Sequence, residues 1–485
     1  MKQKLLVVGN GMAGMRTVEE LLTLAPDAYD IEVLGGEPYG NYNRMLLSSI
    51  LTGEETLDTI MINDRDWYDA HGVTLHVGVN VTRIDRDNQC VLSEDGRSFA
   101  YDTLMLATGS KAVMLPIPGA DLPGVIGFRD MNDVDVMLQT AQHHKHAVVI
   151  GGGLLGLEAA YGLMQLGMEV TVVHLPNVLM ERQLDSIAAG MLQKNLEARG
   201  LKFQMSAQSE YVLGTDRAQA LRLTDGREIK SDLVVMSVGI NPNSSLAEDA
   251  NLHTERGIVV NDHLQTSDPD IYAVGECVEH RNVTYGLVAP LFEQARVCAM
   301  HMAKAGSAIF EEAVTSTKLK VTGIDLFSAG DFIGDELSEE LVYSDTAQGI
   351  YKKLVIKNDV IKGIVLYGDV KDATWYFDLM CDKTDISAFR MGLLFGEKPT
   401  PSFDPMADYY PSHDAFSNPG FGGGFAPDPS MVCRCVNLRK DDIVNAISQQ
   451  GLTSVDEVRL HTKAGLMCGA CTGAVKEIVE TTLRE

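Results

Sequence analysis

Two glycine-rich loops, Gly9–Gly14 and Gly151–Gly156, constrain this chain more than any other feature. Each follows a short apolar run, Leu5–Val8 or Ala147–Ile150. Each opens a stretch with helical spacing, Met15–Leu24 or Leu157–Leu166, and a second apolar strand follows at Ile31–Leu34 or Glu169–Val173. That order is strand, turn, helix, strand, the pattern of a βαβ unit. The glycines fall at GxGxxG spacing: Gly9, Gly11 and Gly14, then Gly151, Gly153 and Gly156. In such a loop the first glycine permits a sharp turn and the second lets backbone approach a phosphate. The third lets helix and strand pack closely, and the helix start supplies N–H donors and positive dipole. One such spacing is often only a tight turn. Two copies, each between strand and helix, predict two dinucleotide sites. Halves of a single doubly wound sheet would not each need a full fingerprint, so two separate α/β domains are expected.

Other strand ends carry the same message. Tyr101–Thr108 runs into Gly109, with Ala107 and Thr108 before it. Leu233–Val238 ends at Gly239, and Ile271–Val274 ends at Gly275-Glu276. Glycine at a strand end marks a close approach of backbone to something else. An acid near the end of the second strand of a dinucleotide fold binds a ribose hydroxyl. In the first unit the candidate is Glu37; in the second the strand ends in His174. His174 suits a ribose hydrogen bond, a 2′-phosphate or a plain surface position, which leaves NADH against NADPH open.

Four of the eight cysteines are scattered, and four are paired near the C-terminus: Cys433 with Cys435, and Cys468 with Cys471. Four thiolates hold either a [2Fe–2S] cluster or Zn²⁺. Zinc sites usually use CxxC at both ends, whereas here the first pair is CxC. Gly465, Gly469 and Gly473 suit backbone contact with cluster sulfurs. Cys471 opens a helical stretch whose dipole favours a thiolate.

The segments Gly9–Gly14, Tyr42-Asn43-Arg44, Ala107-Thr108-Gly109, Gly151–Glu158, Met180–Asp185 and Thr266–Glu276 resemble the N-terminal half of NAD(P)H-dependent assimilatory nitrite reductase large subunits. They are equally similar to the flavoprotein electron-transfer subunits of assimilatory nitrate reductases. The cysteine segment resembles the [2Fe–2S] domain of the bacterioferritin-associated ferredoxin family. The resemblance implies a two-dinucleotide-binding flavoprotein. FAD would lie on the first loop, at Gly9, Gly11, Met12, Ala13 and Gly14, with Glu37, Arg44, Ala107–Gly109, Gly275 and Glu276. NAD(P)H would lie on the second, at Gly151, Gly153, Leu154, Leu155 and Gly156, with His174 and Gly239. Arg44 would sit by the isoalloxazine, and Glu158 near the nicotinamide and flavin N5, as the two catalytic candidates. Asn41–Leu47 holds no cysteine, and Cys90 and Cys277 read as packed thiols. The flavin must then hand its electrons to something other than a thiol, and the resemblance implies a cluster bound by Cys433, Cys435, Cys468 and Cys471.

The resemblance divides the chain into an FAD unit (1–112 and 245–317), an NAD(P) unit (113–244), a small α+β unit (318–398), a linker (399–430) and a [2Fe–2S] unit (431–485). The linker is rich in proline and glycine, a composition that lets a module swing. Nitrite reductase large subunits continue into sirohaem and [4Fe–4S] domains, whereas this sequence stops at Glu485. An electron-donating subunit is therefore expected, serving a molybdenum-containing nitrate reductase. The alternatives are a stand-alone ferredoxin or rubredoxin reductase, the electron-input part of a nitrite reductase, and a non-catalytic regulatory flavoprotein. A net charge of -27 disfavours nucleic acid and anionic lipid as partners. The sequence opens without the features of a signal peptide, and no run approaches the roughly 20 apolar residues of a membrane span. A cytoplasmic protein is expected.

Overall fold

The computed structural model describes residues 2–311, 315–319, 321, 323–396, 431–433, 438–462, 464 and 471–483. The linker 399–430, Cys435 and Cys468 lie outside the described residues.

The first loop leaves a strand, Gln3–Val8, that is paired in parallel on both sides. Tyr29–Gly35 lies on one side and Thr103–Leu106 on the other. Val73–Val77 and Ile271–Ala273 close the two edges of this five-stranded sheet. The second loop repeats the arrangement. His146–Ile150 sits between Glu169–Val173 and Leu233–Met236, with Lys202–Gln204 and Val125–Ile126 at the edges. Parallel strands are covered on both faces, which explains their continuous apolar runs; Thr103–Leu106 and Leu233–Met236 are buried at every position. The two loops therefore belong to two sheets and not to two halves of one.

The units interlock. Tyr42, Leu47, Leu51 and Ile60 are numbered with the first unit but pack in the core of the second, with Leu157, Ala160 and Leu163. Gly162 makes this close approach possible, since a Cβ there would stand 2.7 Å from the Leu51 side chain. Ser110–Ala112 and Ile240–Pro242 form a two-stranded ribbon where the chain passes out of one unit and back again.

The third unit is an antiparallel sheet in the order Ser316–Lys318, Leu326–Gly330, Val360–Tyr367, Ile350–Lys357, Glu339–Asp345, with the helix Ala373–Cys381 packed on it. Ser316 and Thr317, at the end of the segment expected with the first unit, pair with Ala329 and Ser328 of this sheet. The C-terminal unit packs the helices Lys440–Gln450, Val455–Thr462 and Thr472–Thr482 around Ile443, Val458 and Val475. Among the described residues no helix is long and apolar enough to cross a membrane.

Candidate active site

Both loops are built alike at atomic detail. Gly9 has φ +112°, and a Cβ there would meet the Ala107 carbonyl oxygen at 2.1 Å. Gly151 has φ +116°, and its Cβ would meet the Ser237 carbonyl oxygen at the same distance. The third glycines are equally confined: a Cβ on Gly14 would stand 2.7 Å from Ala107, and one on Gly156 2.1 Å from Gly151. The middle glycines differ. Gly11 and Gly153 have nothing within 4 Å of a Cβ. They are also the N-caps of the helices Met12–Leu24 and Leu154–Gln165, and neither cap has a side-chain hydrogen bond. Neither helix carries an acid in its first turn. Two uncapped helix starts facing open space fit the phosphates of two dinucleotides.

A single cleft of about 2830 Å³ runs along the first loop. This is several times an ordinary ligand pocket of roughly 300–1,000 Å³, so it has room for more than one ligand. Gly9, Gly11, Met12, Ala13, Gly14, Glu37, Arg44, Ala107, Thr108, Gly109, Gly275 and Glu276 all line it. So do Leu154, Leu155 and Glu158 from the second unit. Gly151, Gly153, Gly156, His174 and Gly239 lie outside its lining.

Glu37, Arg44, Arg129 and Glu276 are linked along one wall of the cleft. Tyr42 donates its hydroxyl to Glu37 Oε2 at 2.7 Å, and Arg44 forms an ion pair with Glu37 while lying 4.8 Å from the Tyr42 ring centroid. Arg44 Nη1 also donates to the Arg129 carbonyl at 3.3 Å. Arg129 pairs with Glu276, which accepts from Ser110 Oγ at 2.8 Å. Burial, with Arg44 beside it, pushes the Arg129 pKa down to about 10. Asn243 and Thr108 exchange two hydrogen bonds, at 2.7 and 2.8 Å. Gly275 donates its N–H to the fully buried Gln294 at 2.8 Å. Arg129, Ser110, Asn243 and Gln294 were not singled out in the sequence. They come from distant segments, and no local spacing marks them.

Glu158 is buried in the wall of the cleft and accepts from Ser48 Oγ at 3.0 Å. His174 is not the surface residue that its position allowed, being only 6 % exposed. Its Nδ1 accepts from the Gly152 N–H at 2.9 Å, and its Nε2 lies 3.1 Å from the Val178 carbonyl and 3.2 Å from Glu181. The imidazole thus fastens the second glycine loop from behind. Cys277 is fully buried, with its thiol against the Val274 and Leu106 carbonyls and its pKa raised by burial; it is a packed thiol.

Of the four paired cysteines, Cys433 and Cys471 are described. Both are buried, and both line the cleft that holds the first loop. Cys433 ends the strand Met431–Cys433, and Cys471 caps the helix Thr472–Thr482. They pack in one apolar cluster with Met12 and Phe292 of the first unit. The thiol donors and their approach to the first loop fit a cluster that exchanges electrons with a flavin.

Known proteins share this arrangement. Residues 3–303 match the family model of pyridine nucleotide-disulphide oxidoreductases, 316–384 that of the rubredoxin NAD⁺ reductase C-terminal domain, and 431–481 that of the BFD-like [2Fe-2S] binding domain. The chain is 44 % identical to the nitrite reductase [NAD(P)H] of Bacillus subtilis (strain 168), over 99 % of its own length and 58 % of that protein. It is 42 % identical to the assimilatory nitrate reductase electron transfer subunit of the same organism, over 100 % of its own length and 60 % of that protein. It therefore spans less than two thirds of either relative. Among solved structures, the ferredoxin reductase for the CYP199A2 system of Rhodopseudomonas palustris superposes with a TM-score of 0.72 at 26 % identity, covering 79 % of this chain and 95 % of that one. The cofactor set that these matches carry is the one expected from the sequence: FAD, NAD(P)H and a [2Fe–2S] cluster. With two glycine cradles and a C-terminal cysteine module in place, the chain belongs to the pyridine nucleotide-disulphide oxidoreductase family.

Proposed function

We propose that this chain oxidises NAD(P)H and passes the electrons through FAD and a [2Fe–2S] cluster to a catalytic partner, the molybdoprotein of an assimilatory nitrate reductase. One observation carries the reading. The first glycine loop, Glu158 and the thiols of Cys433 and Cys471 line the same cleft. When bound, NAD(P)H supplies hydride, FAD takes two electrons and releases them singly, and the cluster carries one.

The chain's own residues then have distinct tasks. Gly9 and Gly14 shape the first loop, and Gly11 leaves its helix start open to the FAD phosphates. Arg44 and Arg129 place positive charge along the cleft, and Glu37 and Glu276 hold these cations in position. Gly151, Gly153 and Gly156 do the same for NAD(P)H, with His174 holding the loop through Gly152 and with Gly239 at a strand end. Glu158 borders the place where nicotinamide and flavin meet. Cys433, Cys435, Cys468 and Cys471 hold the cluster. The units are an FAD unit of 1–112 and 245–315, an NAD(P) unit of 113–244, a small unit of 316–398, a linker of 399–430 and a cluster unit of 431–485. A cytoplasmic location fits this task, with NAD(P)H as donor.

A second reading is the electron-input half of a nitrite reductase, favoured by the 44 % identity over 99 % of the chain. Reconstitution separates the two. The purified chain is mixed with the purified molybdoprotein of an assimilatory nitrate reductase, and nitrate reduction is followed with NADH as sole donor. Turnover supports the first reading. No turnover with that partner, together with turnover of nitrite by a sirohaem protein, overturns it in favour of the second.

A further inference from the structure

We propose that Phe292 and Arg16 form a fixed seat for the cysteine module on the flavin unit, and that this seat sets the route of electrons between them. The proposal rests on the electron-transfer reading above and replaces the swinging module suggested by the linker's composition. Phe292 lies on the helix Val288–Met302, and Met12 opens the helix after the first glycine loop. Both are buried in one apolar cluster with Cys433, Cys471, Ile443 and Val475. Met45, next to Arg44, and Val288 pack against the same cluster. The core of the module is thus completed by side chains of the flavin unit. A module that swung away would expose these apolar groups to water on both sides.

Phe292 is itself held. The Arg16 guanidinium lies 5.7 Å from its ring centroid, within cation–π range. Arg16 is fixed by Glu20 at 2.5 Å and Glu19 at 3.8 Å, and Glu19 accepts from Asn63 Nδ2 at 2.8 Å. The ring is thereby oriented by charges of the flavin unit while its body packs against the thiol-bearing module. Exposed residues Ala474 and Glu477 on the helix Thr472–Thr482 line the same cleft as Arg16 and Glu20. The electron balance across the seat is simple. Each NAD(P)H yields NAD(P)⁺, one proton and two electrons; the electrons cross one at a time, the proton goes to solvent, and no bond forms between the units.

The test uses the full-length protein carrying Phe292→Ala, Phe292→Leu or Arg16→Gln. One readout is independent of redox chemistry: hydrogen exchange of the amides in Thr472–Thr482. Phe292→Ala is expected to speed that exchange about tenfold, Phe292→Leu to restore most of the protection, and Arg16→Gln to speed it about threefold. The second readout is rapid mixing with NADH. Flavin bleaching is followed in each variant, and the appearance of the reduced-cluster EPR signal relative to it is expected to slow about tenfold in Phe292→Ala and about threefold in Arg16→Gln. Unchanged exchange, or a cluster signal that rises at the parent rate, overturns the seat. If Phe292→Ala does not fold, Arg16→Gln decides alone, and no change in either of its readouts overturns the proposal. A parent protein that binds FAD and reduces it with NADH but holds no cluster refutes instead the electron-transfer reading on which the seat rests.

Discussion

Ser48 and Glu158 stand 110 positions apart in the chain, yet their side chains meet at 3.0 Å. One lies on the helix Leu47–Leu51 of the first unit and the other on the helix Leu154–Gln165 of the second. Both are buried and both line the cleft. This hydrogen bond ties the two nucleotide units together at the wall where their ligands would meet. A hydrogen bond contributes about 0.5–1.5 kcal/mol net, and each 1.36 kcal/mol is about tenfold in rate. Ser48→Ala is expected to slow NADH-dependent flavin bleaching by up to about tenfold in stopped flow, with Ser48→Thr recovering much of it. A Ser48→Ala rate equal to the parent's would remove Ser48 from the account.

The glycines of one loop should separate folding from binding. Gly9→Ala drives a Cβ onto the Ala107 carbonyl at a φ of +112°, so backbone must move. We expect a loss of about 2–4 kcal/mol in denaturant unfolding of the flavin-free chain. Gly11→Ala meets nothing within 4 Å. It should leave the flavin-free stability within about 0.5 kcal/mol and lower flavin occupancy on purification. Equal stability losses in the two variants would show that the middle glycine is not reserved for a ligand.

His174 acts on the second loop through Gly152. Removing the imidazole leaves the Gly152 N–H without its acceptor, at a place where a Cβ on Gly152 would lie 2.9 Å from the ring. His174→Ala is therefore expected to raise KM for NAD(P)H about tenfold and leave kcat within about twofold, with normal flavin content. Steady-state kinetics with a dye acceptor measure both. A fall in kcat at unchanged KM would place His174 in the chemistry instead.

Stability should fall with acid through His301. Its pKa is lowered from 6.5 by burial and by His263, which stacks on it at 4.6 Å between ring centroids. As pH falls through 6.5 the unfolded chain takes up a proton that the folded chain does not. Stability is therefore fully present above that pH and is lost below it, until the folded ring also protonates. His301 Nδ1 lies 2.9 Å from the Tyr272 hydroxyl. His301→Gln should flatten the decline in urea midpoint between neutral pH and mildly acidic pH. A decline as steep as the parent's would assign the acid sensitivity to other groups.

Much of the fold is legible in the sequence because it rests on local patterns. The strand His146–Ile150 follows from the apolar run Ala147–Ile150, and the helix Lys440–Gln450 from helical spacing. The glycine loops are legible because each glycine answers a steric demand a few atoms away, as at Gly9 and Gly156. The rest depends on distance in the chain. Nothing near Ser48 or Arg129 announces Glu158 or Glu276, and His174 looks like a surface residue until Gly152 is seen to donate to it. The docking of the cysteine module is also invisible in the sequence, because Met12 and Phe292 are ordinary apolar residues whose partners lie far along the chain.

On the proposed route, hydride from NAD(P)H leaves this chain as single electrons through a cluster on its C-terminal thiols. The most direct test of this route is an anaerobic titration of the purified full-length protein with NADH, followed by visible absorbance and EPR, with iron and sulfide assayed on the same sample. Flavin bleaching and a reduced [2Fe–2S] signal are expected, with loss of that signal and retained flavin bleaching in Cys433→Ser. A protein that holds zinc in place of iron and sulfide, or whose flavin bleaches while a bound cluster stays oxidised, would contradict it.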